Sequence, residues 1–502
     1  MKYQDKTLTQ CIKNSGFLVG LYGVAHIGHC QFYDLTDKLG CRLGSLIYRA
    51  ETALNSATFS YISRKPINKE MIRYSKFTLI LCLVLFGRIV YAQSPDEIVG
   101  NLMNEQKMFE LREQHEQWQA QLSPLINYFS QAMLAESFNN PEKGILAVDS
   151  LLNNEIYQTQ LGLDNIAYLI YLKSGFLEIL FQYKASSEML ESFLAQVKGL
   201  PINQDLIHNL KASLRINKIL ANFPPTKINR LQKNVELDYT VEKAGKGLAL
   251  NIPCEINGKE TQMCLDTGNP KYSVVTENFA NKFQIKSIVD SIPMQGVGSG
   301  FAKIGITDSL KIGDISFHNS LFYIVDKISP IDSIVLEAVL GSEVLNLIGE
   351  IQLYPSEKKI VFPQLNSVTS SSKGNLIMHK RHLFIQLDQN SESILMHFDT
   401  GSSSSYMSHI YFADHKETIE QLALQDSINL AGYGGISYQL GYKLPKLDFT
   451  LNKKSFEMKD MAVHTENIMN QWKERGCLGA DFVQKFNKVT VSYKNMFIEL
   501  DE

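Results

Sequence analysis

From residue 93 to about residue 222 the apolar positions recur at helical spacing. Ile145, Val148 and Leu152 form one stripe, and Leu206, Leu210 and Leu214 form another. That is the pattern of helices that bury one face. Asn140-Pro141 reads as a cap followed by a first-turn proline. Breaks at Pro124, Pro141 and Pro201 divide the segment into helices of about 12–20 residues that pack as antiparallel hairpins. No reliable repeat of about 34 residues is found, so a plain helical bundle is expected over a tetratricopeptide-like stack. Phe223-Pro224-Pro225-Thr226 ends this region, and strands are expected from about Val235. Asn257-Gly258 reads as the turn of a hairpin. A serine-rich stretch, 363–375, reads as a linker between two β halves, 229–362 and 376–502.

The first 92 residues follow another pattern. Met71 to Lys76 is a short basic start, Phe77 to Gly87 is an apolar core, and Val90-Tyr91-Ala92 carries the small residue of a cleavage site. Residues 71–92 therefore resemble a secretory signal peptide, which sets the expectation of a secreted or periplasmic protein. The core is too short for a bilayer span, which needs about 20 apolar residues. Residues 1–70 show no clear period and no targeting pattern. The expectation is that they are a non-native extension and that the translated protein begins at Met71.

A second pattern is a duplication. Met263-Cys264-Leu265-Asp266-Thr267-Gly268-Asn269 is echoed by Met396-His397-Phe398-Asp399-Thr400-Gly401-Ser402, with Asp266 and Asp399 133 positions apart. Phe279-Ala280 and Phe412-Ala413 keep the same offset. Glycine-rich tips follow, Gly296-Val297-Gly298-Ser299-Gly300 and Gly432-Tyr433-Gly434-Gly435, and each half closes on an apolar-apolar-Gly step, Val339-Leu340-Gly341 and Cys477-Leu478-Gly479. One Asp-Thr-Gly arises by chance in roughly one chain in ten of this length. Two copies in matched surroundings mean two copies of one structural unit.

On these residues the segment 229–502 resembles the aspartic proteases of the pepsin and retropepsin group. The resemblance implies a bilobal, all-β pepsin-like domain; with the all-α bundle that the periodicity gives at 93–222, which belongs to neither pepsins nor retroviral proteases, the chain is expected to be α+β and multidomain. The resemblance also implies that Asp266 and Asp399 meet, and that 296–300 and 432–435 are flaps over a peptide-binding cleft. Cys264 and His397 stand where that family usually has an apolar residue, and residues 291–305 lack the flap tyrosine of pepsins.

The chemistry suits the residues. Two carboxyls in contact cannot both ionise, so one can activate water while the other protonates or polarises the substrate. No metal, cofactor or covalent intermediate is required. Gly268 and Gly401 are expected to let the chain turn sharply. Thr267 and Thr400 are expected to cross-link the two loops through their hydroxyls. Asn269 and Ser402 are expected to donate to the outer carboxylate oxygens and lower the pair's pKa values.

Composition narrows the partners. With 44% apolar residues, 20% charged and a net charge of −3, the 502-residue chain is globular and offers nothing for nucleic acid. Of seven cysteines, only Cys254, Cys264 and Cys477 follow residue 93, too few for a disulfide framework. No Cys/His run has zinc spacing. The helical segment is mixed in charge, so a permanent accessory domain, able to dock a protein partner, is expected over a basic propeptide. The expected activity is an aspartic endopeptidase acting on peptide or protein. A catalytically inactive peptide-binding protein on the same fold is the first rival, and a helical scaffold with a merely structural β part the second.

Overall fold

The structure is a computed structural model that describes residues 93–501 apart from 245–246, 330, 332–335, 368–373 and 468–471. The expectations for residues 1–92, the signal peptide among them, lie outside the described residues, as does most of the linker 363–375. Helices come first and sheets after, an α+β layout. No described helix is long and apolar enough to cross a membrane.

The chain forms two compact units, and they do not divide at residue 222. One comprises residues 93–130, 150–168 and 201–205. It opens with the helix Pro95–Asn104, whose start is fixed by reciprocal bonds between Ser94 and Glu97. Two orphan N–H groups of the first turn are thereby satisfied. The other unit joins residues 131–149, 169–200 and 206–222 to all the sheets.

Two helical details depart from the periodicity. The helix Pro141–Leu152 buries Ala147, Val148 and Leu151, while Ile145 and Leu152 are only partly covered. The buried face is turned because the Phe176 ring lies hard against Gly144, leaving no room for a side chain there. The helix Glu155–Ile179 runs to 25 residues, beyond the expected length, and is broken at Gly162, whose φ of 73° is left-handed.

Strands begin earlier than Val235. Lys227–Arg230 already pairs antiparallel with residues 315–318, where it occupies a sheet edge that would otherwise leave unpaired backbone groups. Among the described residues, the strands form sheets of nine, five and eight. The nine-stranded sheet belongs to the first β half and the eight-stranded sheet to the second. The five-stranded sheet draws on both, in the order Val235–Asp238, Lys359–Phe362, Glu350–Tyr354, Lys488–Ser492, Phe497–Asp501. At its centre Gln352 pairs with Thr490, Ile351 with Val491 and Leu353 with Val489. Gln352 and Thr490 are 138 positions apart, the offset that also separates Leu340 from Leu478. Equivalent residues facing each other across an antiparallel pair place a pseudo-twofold axis between them. The Asn257-Gly258 turn has both residues at positive φ, as a two-residue hairpin of this hand requires.

One buried ionic cluster ties the helices of this unit to both β halves. Glu178 pairs with Lys271 at 2.8 Å and with Arg381 at 3.4 Å, and accepts a bond from Asn217 at 3.0 Å. Burial alone would raise this carboxyl, but the two cations outweigh it and hold it below the usual range. Lys271 lies five positions beyond Asp266. Glu178→Ala takes the paired carboxylate from two half-buried cations and is expected to lower the unfolding free energy by about 3 kcal/mol in urea titrations. A loss below about 1 kcal/mol would mean that the cluster behaves as an exposed pair.

Candidate active site

Each candidate aspartate follows a strand at its point of entry into a turn. Asp266 follows Lys259–Leu265 and Asp399 follows Glu392–Phe398. The closing apolar-apolar-Gly strands run parallel beside them, Val339 against Cys264 and Leu340 against Leu265, Cys477 against His397 and Leu478 against Phe398. The two halves thus build the same local frame.

The turns are joined by reciprocal bonds. Thr267 N–H donates to Thr400 Oγ1 at 3.1 Å, and Thr400 N–H donates to Thr267 Oγ1 at 3.0 Å. Each hydroxyl then donates onward across the interface, Thr267 to the Phe398 carbonyl at 3.1 Å and Thr400 to the Leu265 carbonyl at 2.7 Å. Both threonines are buried. Four bonds, all between the halves, leave each hydroxyl used as donor and acceptor.

The carboxyls are held alike. Asp266 Oδ1 accepts from the N–H groups of Gly268 at 2.8 Å and Asn269 at 2.9 Å. Asp399 Oδ1 accepts from Gly401 at 2.9 Å and Ser402 at 3.0 Å. Each carboxyl lies against the glycine of the opposite turn, Asp399 at Gly268 and Asp266 at Gly401, so the two face each other. Burial, then the charge of Asp399 and hydrogen bonding to it, hold Asp266 well above the usual carboxylate range; the Gly268 and Asn269 N–H groups pull the other way and are outweighed.

Two sequence expectations need correction. The side chains of Asn269 and Ser402 do not reach the carboxylates. Asn269 Nδ2 donates to the Tyr272 carbonyl at 2.9 Å and Ser402 Oγ to the Ser404 carbonyl at 3.0 Å, so only their backbone N–H groups serve the aspartates. Donation does not lower Asp266, because burial, then the charge of Asp399, outweighs the two N–H groups. Gly268 and Gly401 sit in the expected turns and turn their N–H groups to the carboxyls, without positive φ. They are needed for close approach as well. A Cβ at Gly268 would overlap the Asp399 carboxyl, and one at Gly401 would overlap that of Asp266.

The glycine tips meet each other. Gly298 N–H donates to the Tyr433 carbonyl at 3.0 Å, and the Tyr433 hydroxyl donates to the Phe301 carbonyl at 3.1 Å. Gly296, Val297, Ser299, Gly300, Gly432, Gly434 and Gly435 make up the rest of these tips, and a Cβ at Gly298 would strike the Gly434 backbone. Tyr433 of the second half therefore reaches the tip that lacks its own tyrosine.

Other neighbours were missed by sequence reasoning. His382 contacts the Gly268 backbone and senses Asp399; burial, then the His397 ring, pushes it down to about 4, so it is neutral near neutral pH. Its distance from either motif hid it. Glu343, one residue into the helix Ser342–Ile348, is raised to about 7 by burial, with Arg381 and Lys271 opposing and Glu178 adding to the rise. His397 was visible as a departure from the motif but had no assigned purpose.

The profile of a family described as aspartyl protease matches residues 252–344. Among solved structures, basic 7S globulin from soybean is similar at 10% identity and a TM-score of 0.34, over 54% of this chain and 95% of that one. Conglutin gamma, a unique basic 7S globulin from lupine seeds, is similar at 11% identity and a TM-score of 0.33, over 54% and 100%. A retropepsin-like aspartic protease from Rickettsia conorii is similar at 14% identity and a TM-score of 0.18, over 27% and 90%. No curated protein matches the chain.

Two outcomes are expected from this geometry. Gly268→Ala drives a methyl into the opposite carboxyl and destabilises the protein by about 1–3 kcal/mol, the range for overpacking, in denaturant unfolding; a neutral effect would show that the Asp399 carboxyl does not lie against Gly268. Glu343 has a raised folded-state pKa, so its stabilising contribution is present below the unfolded value of 4.5 and is lost as pH rises through about 7. Glu343→Gln cannot ionise and is expected to match the parent near pH 4 and exceed it at about pH 8 by up to about 3 kcal/mol. Equal stabilities at both pH values would contradict the burial of this carboxyl.

Proposed function

We propose that residues 229–502 form an aspartic endopeptidase of the pepsin-like, two-lobed kind, in which Asp266 and Asp399 jointly activate a water. The observation that carries this reading is the pair of carboxyls, each set against the opposite turn's glycine and locked in place by the Thr267–Thr400 exchange. The pair holds one proton. Its ionised member takes a proton from water as the oxygen adds to the scissile carbonyl. Its protonated member hydrogen-bonds the carbonyl oxygen and stabilises the tetrahedral intermediate. Transfer of a proton to the leaving nitrogen breaks the C–N bond and returns the pair to its starting state. The match of the aspartyl protease profile to residues 252–344 supports the same reading.

The substrate is an extended peptide, paired by its backbone to the flap hairpins. Peptide entry separates the Gly298–Tyr433 contact, because the two tips bond each other in its absence. The signal-like pattern of segment 71–92 supports a secreted or periplasmic setting for this activity.

The test is cleavage of a peptide library by the purified protein. The parent is expected to cut, and pepstatin to block it. Asp266→Asn and Asp399→Asn are each expected to lower kcat/KM by about 10³-fold or more while leaving the fold intact. Capture of peptides by the parent without turnover would assign a binding module instead.

A further inference from the structure

The second half carries something the first half does without. In a strand, residues two apart face the same way, and directly paired residues of neighbouring strands share a face. His397 lies two before Asp399, and Cys477 is the cross-strand partner of His397. One ligand atom from each of the three side chains lies within 4.8 Å of the other two. At the equivalent places the first half has Cys264, Asp266 and Val339, with no imidazole and no second thiol. That half builds the same turn and holds its aspartate with the same N–H pair. The imidazole and the thiol are therefore not needed to shape the turn.

The cluster also has unmet polar demand. His397 Nε2 is shut off from solvent with no hydrogen-bond partner, and so is Nδ1 of His382, whose ring centroid is 5.2 Å from that of His397. A buried polar atom left unpaired costs about 1–3 kcal/mol, and in a native site it calls for a ligand or a function. Besides His397 and Asp399, the side chains of Tyr406 and Ser402 are polar neighbours of Cys477. Nitrogen, sulfur and carboxylate together are a donor set for zinc and its relatives and a poor one for calcium or magnesium, which take oxygen. Zinc bonds of about 2.0–2.3 Å put tetrahedral ligand atoms roughly 3.3–3.8 Å apart. Closing from 4.8 Å asks for a movement of about 1 Å, within reach of side-chain torsions.

We propose that His397, Cys477 and Asp399 form a site for a soft divalent cation of the zinc class, and that occupying it withdraws Asp399 from the dyad. The cation takes an oxygen of Asp399, the His397 ring nitrogen and Cys477 Sγ, and the thiol proton leaves to solvent as the sulfur–metal bond forms. The inhibitory role rests on the reading of Asp266 and Asp399 as catalytic. The binding site does not.

The experiment separates the two. The full protein, stripped with a chelator, is titrated with Co²⁺ and followed by the thiolate-to-cobalt charge-transfer band, and Zn²⁺ is then added as competitor. The parent is expected to develop the band with one cobalt per chain and to lose it to zinc. Cys477→Val, which installs the first half's residue, is expected to abolish the band, and His397→Leu to weaken binding at least about 10-fold. Cys477→Ser is the isosteric control should the valine variant fail to fold. In the cleavage assay, zinc is expected to inhibit the parent at least about 10-fold more strongly than Cys477→Val, with equal rates in chelator. No cobalt band in the parent, or a band that survives in both Cys477 variants, overturns the site. A band with zinc-insensitive cleavage overturns the inhibitory role. A band with no cleavage under any condition leaves the metal site standing and refutes the protease reading.

Discussion

Two backbone N–H groups, those of Thr267 and Thr400, are buried where neither half can satisfy them alone. Each takes its acceptor from the other half's threonine hydroxyl, and each hydroxyl gives its hydrogen to a carbonyl of the half opposite. Leaving such groups unpaired costs about 1–3 kcal/mol apiece, so the arrangement holds only when the halves face each other in one register. The same pseudo-twofold relation appears where Gln352 pairs with Thr490 in the shared sheet. A sheet built from both halves and a buried exchange of bonds at the turns thus constrain the geometry from two ends.

The electrostatics follow from that register. Once the turns are locked, the carboxyls of Asp266 and Asp399 face each other, and burial, then the charge of Asp399, raises Asp266 more than the two N–H groups that donate to it can compensate. Gly268 and Gly401 are glycine because the opposite carboxyl fills the space of a side chain. Beyond the dyad, Lys271 carries the constraint outward to Glu178, and Glu178 also holds Arg381. The helical residues around Glu178 are therefore bonded to the chain just after the first aspartate and to the start of the second half.

Much of the β portion was legible because its signals are local. Asp-Thr-Gly, the apolar-apolar-Gly steps and Asn257-Gly258 each set a turn or strand within a few residues, and the duplication supplied the relation between distant copies. What was hidden depends on contacts across long separations. Glu178 lies 93 positions from Lys271 and 203 from Arg381, and nothing in its own helix marks it as buried and paired. The roles of Asn269 and Ser402 were misread because residue type shows a donor but not which acceptor lies within reach. The Tyr433 contact with Phe301 was hidden because the missing tyrosine of one tip is answered from the other half. The pairing of His397 with Cys477 required the parallel register, which no pattern along the chain reveals.

The central claim is that two carboxyls share one proton. Side-chain carboxyl ¹³C resonances of the aspartates, followed against pH in the parent and in Asp399→Asn, test it most directly. Asp266 is expected to titrate well above the ordinary carboxylate range in the parent, and its midpoint is expected to fall when the opposing charge is removed. An Asp266 that titrates in the ordinary range and does not respond to the substitution would contradict the account.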